Sequence, residues 1–142
     1  MRAAAAAAIL LVALGGCGSH GADSPATVVR AWSHALNTGD NVAAAALFAR
    51  GAAVIQGQEE LQLRTRADAV RWNAALPCSG KIVALVVKGE TVTATFLLGD
   101  RPSSPCDGPG RRARALLRIH GGKIVLWHQL PSGPPAPSGS VV

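Results

Sequence analysis

Lys81-Ile82-Val83-Ala84-Leu85-Val86-Val87 and Thr91-Val92-Thr93-Ala94-Thr95-Phe96-Leu97-Leu98-Gly99 are two strand-forming runs either side of Lys88-Gly89-Glu90. Arg112-Ala113-Arg114-Ala115-Leu116-Leu117-Arg118-Ile119-His120 and Lys123-Ile124-Val125-Leu126-Trp127-His128-Gln129-Leu130 flank Gly121-Gly122 in the same way. Period-two character on both sides of a glycine turn is the hairpin signal. The segment 80–130 therefore predicts two antiparallel hairpins, and the rest of the chain must cover the sheet they form.

Parity assigns the faces. A two-residue Gly121-Gly122 turn sets His120 against Lys123 and runs the pairs outward as 118–125, 116–127 and 114–129. Ala113, Ala115, Leu117, Ile119, Ile124, Leu126, His128 and Leu130 then share one face. Arg112, Arg114, Leu116, Arg118, His120, Lys123, Val125, Trp127 and Gln129 share the other. In the first hairpin Val83, Leu85, Val87, Val92, Ala94, Phe96 and Leu98 fall together, opposite Ala84, Val86, Thr91, Thr93 and Thr95. One face of each hairpin is apolar and needs a cover, most simply helices. His128 is the polar exception on that face. It reads either as a core imidazole bonded to a carbonyl or as a polar group lining a cavity between sheet and helices.

The helices lie upstream. Ser24-Pro25 is an N-cap followed by proline at the first helical position. Val28, Val29, Trp32, Ala35 and Leu36 form an apolar stripe at helical spacing, with Arg30, Ser33 and Asn37 off it and His34 at its edge. Asn37-Thr38-Gly39-Asp40 ends this helix, and Asp40 caps a second over 42–48 with its bulk at Val42, Leu47 and Phe48. Residues 52–56 read as a short strand, and 58–64 as strand or loop. Thr65 and Asp68 form a capping box opening a third helix to Leu76, stopped by Pro77. Trp72 and Asn73 are adjacent on it, so the two cannot both point straight inward.

The ends are a different matter. Met1-Arg2, the apolar run 3–14 and Leu14-Gly15-Gly16-Cys17 resemble a bacterial lipoprotein signal, whose cysteine is lipidated. The expected layout is a signal peptide over 1–16, lipidated Cys17 with a tether over 17–23, one domain over 24–130 and a disordered Pro/Ser/Gly tail over 131–142. A chain of 142 residues leaves room for one such domain. Lipid anchoring would place it on the extracytoplasmic face of the cell membrane.

Export also suits the cysteines. With Cys17 lipidated, Cys78 and Cys106 remain as one pair, flanking the first hairpin closely enough for a bridge worth roughly 3 kcal/mol. A metal site is the weaker alternative, because no histidine stands at ligand spacing. The net charge is +6, with 11 arginines against 3 lysines, and the arginines at 111, 112, 114 and 118 read as a solvated basic face. No nucleic-acid motif or phosphate loop is present, and no cofactor is indicated.

Three strings carry a family likeness: Leu36-Asn37-Thr38-Gly39-Asp40 closing the first helix, Ala52-Ala53-Val54-Ile55, and Gly122-Lys123-Ile124-Val125-Leu126-Trp127-His128-Gln129 as a closing strand. On these the segment 26–130 resembles the nuclear transport factor 2-like superfamily, in its SnoaL-like branch. Pro77-Cys78-Ser79-Gly80 with Cys106-Asp107-Gly108 resembles exported actinobacterial members. The resemblance implies an α+β cone, a strongly bent mixed sheet wrapped around three helices from the N-terminal half. It also implies an apolar pocket in the cone's mouth and a homodimer through the sheet.

Superfamily membership does not confer chemistry. Its isomerases and dehydratases rely on tyrosine beside an acid, and this chain has no tyrosine. Its epoxide hydrolases use an Asp-Arg-Asp relay, for which Asp100-Arg101 is the nearest counterpart here, its members pointing to opposite faces of a strand. Three functions stand open. The first is a non-enzymatic, lipid-anchored domain binding a small apolar ligand through His128, Asn73, Trp32 and Trp72. The second is an isomerase-, cyclase- or hydrolase-type enzyme with His128 as general base. The third is an interaction module whose outer sheet face presents Trp127 between Arg114 and Arg118.

Overall fold

Ser24 accepts from Thr27 N at 3.3 Å and starts α1 (Pro25–Asn37). Every residue of the predicted stripe, Val28, Val29, Trp32, Ala35 and Leu36, is buried. The computed structural model describes residues 22–132, so the signal sequence, Cys17 and the tail beyond 132 lie outside the described residues. Asp40 caps α2 (Asn41–Ala46) by accepting from Ala43 N at 2.9 Å. That helix is shorter than its sequence predicts. Leu47 already turns its carbonyl to Ile124 N at 2.8 Å, and Phe48 opens β1 (Phe48–Gln56) instead of closing the helix. Pairing with the sheet overrides helix propensity here. Val42, expected to be packed, is 64% exposed.

β2 (Glu59–Leu63) settles the ambiguous stretch as a strand. The capping box at the head of α3 (Arg66–Ala75) is complete: Asp68 N donates to Thr65 Oγ1, and Thr65 N to Asp68 Oδ2. Those hydrogen bonds, with Arg71 beside them, hold the Asp68 carboxyl below its usual range. β3 (Ser79–Lys88), β4 (Thr91–Gly99), β5 (Arg112–His120) and β6 (Lys123–Leu130) are the two expected hairpins. Gly121 and Gly122 both take positive φ, 56° and 74°, as a tight hairpin turn of this kind demands.

The strands form one open six-stranded sheet in the order β2-β1-β6-β5-β4-β3. Neighbours run antiparallel except β1 with β6, which run parallel. The helices cover the inner face, so the fold is the expected α+β arrangement of a mixed sheet against three helices.

Two bulges change the parity. In β3 the partners jump from Ile82↔Phe96 to Ala84↔Thr95, leaving Val83 as the extra residue. Ile82, not Val83, therefore packs on the core, and Val83 is 44% exposed. In β6 the partners jump from Ile119↔Ile124 to Arg118↔Leu126, leaving Val125 extra. Beyond it Leu117 faces Trp127 and Leu116 faces His128. Trp127 is thus buried at 7% exposure, and His128 is half-buried on the outer face. The expected positions of these two side chains are exchanged. An indole has far more apolar surface to remove from water than an imidazole, so the bulge places the more hydrophobic ring inside.

The interior is organised by aromatic rings. The chain's three tryptophans and two phenylalanines make one connected cluster of edge-to-face pairs with centroids 5.0–6.5 Å apart. Trp72 and Asn73 do both point inward, against expectation. α3 lies between partners on two sides, so Trp72 packs on Phe48 and Trp127 while Asn73 accepts from Trp32 Nε1 at 2.8 Å. Arg101 is buried and donates to Asn73 O, Leu76 O and Asn41 Oδ1, tying the end of α3 to the start of α2. Burial without a carboxylate partner lowers its pKa, while the α3 carbonyls, at the negative end of that helix, favour the cation.

Candidate functional site: a cavity at the open end of the sheet

Where α1 meets the first hairpin, polar groups set the geometry. Ser33, off the helix's apolar stripe, is buried and donates to Gly80 O at 2.8 Å. Asn37 grips the same residue twice, donating to Gly80 O at 3.0 Å and accepting from Gly80 N at 2.8 Å. Glycine suits the close approach there, because a Cβ would stand 3.0–3.2 Å from the Phe96 side chain and force it to give way. α1 is thereby held on β3 at the edge of a cavity of about 270 Å³, at the small end of the range for ligand sites.

Trp32, Leu36, Phe96, Leu98 and Trp127 supply its apolar wall. Gln56 and Gln129, from the ends of the parallel strands β1 and β6, supply two amides. The titratable groups lining it are Asp107, Arg111, Arg112 and Arg114, all exposed. Trp72 Nε1 donates to Gln56 Oε1 at 3.3 Å. Trp127 Nε1 is buried and has no hydrogen-bond partner among the described residues.

Cys78 and Cys106 are joined in a disulfide, as the cysteine count predicts, and Cys78 lines the cavity. Asp107 Oδ1 lies 3.2 Å from Cys78 Sγ, a contact and not a hydrogen bond because a cystine sulfur carries no proton. Cys78, Cys106 and Asp107 offer donor atoms within 4.8 Å of one another. Both sulfurs are consumed by the bridge, so the trio presents no thiolate to a metal while it stands.

The fold built by this order of strands and helices is shared with solved structures at low sequence identity. One is a nuclear transport factor 2-like protein of unknown function from Cytophaga hutchinsonii, 15% identical over 75% of this chain and 88% of that one, with a TM-score of 0.63. The chain has the nuclear transport factor 2-like fold. A candidate polyketide cyclase from Sinorhizobium meliloti is 19% identical over 73% of this chain and 94% of that one, with a TM-score of 0.60. A hypothetical protein from Catenulispora acidiphila with a ketosteroid isomerase-like fold, solved with trimethylamine, is 20% identical over 75% and 85%, with a TM-score of 0.59. No family model and no curated protein sequence matches the chain.

In this nuclear transport factor 2-like cone the sequence candidates are scattered. Trp32 lines the cavity. His128 does not, because the Val125 bulge turns it to the outer face beside Leu116 and Ile55. Asn73, fully buried, spends its amide on Trp32 and on Ala69 O, and its carbonyl on Arg101. Trp72 reaches the cavity only through Gln56. Trp127, expected on the outer face between Arg114 and Arg118, belongs to the cavity wall instead, while both arginines remain exposed. Gln56 and Gln129 were not singled out by the sequence. Gln56 ends a strand whose other inner residues, Phe48, Ala52 and Val54, are all buried apolar groups. A lone polar residue closing such a run was the available signal.

Proposed function

We propose that this chain is a non-enzymatic small-molecule-binding domain, anchored by lipid at Cys17 on the extracytoplasmic side of a bacterial membrane. The cavity carries the binding reading. Its wall is apolar and aromatic, with the half-buried Gln56 amide on it and the exposed Gln129 amide at its rim. The acid at its rim, Asp107, is exposed, and among the described residues none lining it is a buried carboxylate or imidazole. The anchoring reading is supported by the Leu14-Gly15-Gly16-Cys17 string, and the Cys78–Cys106 bridge suits an oxidising compartment.

Native mass spectrometry of the oxidised, exported chain tests the binding reading. A retained small molecule, lost after Trp32→Ala in a protein that still folds, is the expected result. Empty protein whose tryptophan emission and melting temperature respond to no member of a small-ligand library contradicts it.

A second reading concerns the outer sheet face, where Leu97, 39% exposed, pairs with Arg112, and Val86, 55% exposed, pairs with Thr93. Exposed apolar strand residues on the outer face favour self-association there. The expected result is a dimer by sedimentation that Leu97→Lys makes monomeric. A monomer at high concentration counts against it.

A further inference from the structure

The Gln56 amide has only one permitted orientation. Trp72 Nε1 donates to its oxygen, and an indole nitrogen cannot accept. Trp72 is itself held edge-to-face between Phe48 and Trp127. The Gln56 oxygen is therefore turned to Trp72, and its NH2 group, without an acceptor among the described residues, is the end of the side chain left free at the cavity it lines. Trp127 Nε1, also without an acceptor, is closed off from solvent and is not offered to the cavity. At the mouth, Arg111, Arg112 and Arg114 set donor groups against a single carboxylate, Asp107.

We propose that Gln56 is the specificity-determining donor of this cavity, and that the ligand is a small, largely apolar molecule presenting an sp2 oxygen, in a carbonyl or carboxylate. The inference rests on the cavity being a binding site. A ligand of the same shape with no acceptor would close the cavity over an unpaired amide, which is where a polar site discriminates most strongly. Arg111 at the mouth, unpaired with any carboxylate among the described residues, would add attraction for the charged form.

The test compares acetophenone, benzoate and α-methylstyrene, which has acetophenone's shape without its oxygen. Dissociation constants by ligand-observed nuclear magnetic resonance are taken on the parent chain, Gln56→Leu and Gln56→Glu. The glutamate keeps an acceptor for Trp72 Nε1 and, when ionised, has no donor to give. The expected result is that the parent prefers acetophenone or benzoate over α-methylstyrene by about tenfold. Gln56→Leu should abolish that preference while still binding α-methylstyrene, and Gln56→Glu should lose both oxygen-bearing probes. Tighter benzoate than acetophenone would identify the carboxylate form, and the reverse the neutral carbonyl. Equal binding of all three by the parent, or an unchanged preference in Gln56→Leu, overturns the role of Gln56 and leaves the cavity standing. Binding of none of them by the parent overturns the cavity reading and this inference with it.

Discussion

In the β3–β4 hairpin the extra residue is Val83, and in the β5–β6 hairpin it is Val125. The first bulge exchanges Ile82 for Val83 on the core face, one aliphatic group for another. The second exchanges Trp127 for His128, and with them the composition of the cavity wall. The hairpins also differ in what holds them. β3 is pinned from outside its own face, by Ser33 and Asn37 on Gly80 and by the Cys78–Cys106 bridge at its start. β5 and β6 are held mainly by burial, with Leu117 and Ile124 fully enclosed beside Ile119 and Trp127. One hairpin is fastened by polar and covalent links, the other by apolar packing, so the two should fail in different ways.

The largest effect should come from the packed hairpin. Trp127→Ala removes a buried ring from the aromatic cluster and should cost about 3–5 kcal/mol of unfolding free energy, whereas His128→Ala, on the outer face, should cost less than about 1 kcal/mol. Denaturant unfolding of both variants checks the pair, and equal losses would erase the distinction between the faces. Next comes the fastened hairpin. Replacing Cys78 and Cys106 by serine opens a link between residues 28 apart and should cost about 3–4 kcal/mol on the chain-entropy account. Hydrogen exchange should then show faster opening of the start of β3 and of the 100–111 loop than of β5 and β6; uniform loosening would contradict the contrast. The smallest effect probes the first bulge. Ile82→Thr should cost about 1–2 kcal/mol and Val83→Thr about 0.5 kcal/mol or less, read from thermal melts. The opposite order would restore the unbulged parity.

What was legible in the chain follows the same division. Caps, stripes and turns are local, and Ser24, Asp40, Thr65 with Asp68 and the Gly121-Gly122 turn all act as their spacing predicts. The fold class and the disulfide follow from such local signals and from cysteine arithmetic. The bulges are not local in that sense. In Lys123–Leu130 the run Ile124-Val125-Leu126-Trp127 is apolar at both parities, so strict alternation and a one-residue shift both bury hydrophobic groups. What decides is the tertiary partner: Ile124 must meet Leu47 O and Phe48 on β1 while Trp127 must meet Trp32 and Trp72. The cavity candidates depended on that register, which is why His128 and Trp127 were misplaced together. Asn73, expected to contact a ligand, is spent inside the core for a related reason, since its indole partner lies 41 residues earlier in the chain.

The central claim is that the Val125 bulge turns Trp127 into the interior, sets Gln129 at the exposed rim of the same face, and turns His128 out of it. Cross-strand proton contacts in a nuclear Overhauser spectrum of the labelled protein test it most directly. The account predicts contacts pairing Leu117 with Trp127, Leu116 with His128 and Ala115 with Gln129. Contacts pairing Leu116 with Trp127 and Arg114 with Gln129 would show an unbroken ladder, put His128 back inside, and contradict it.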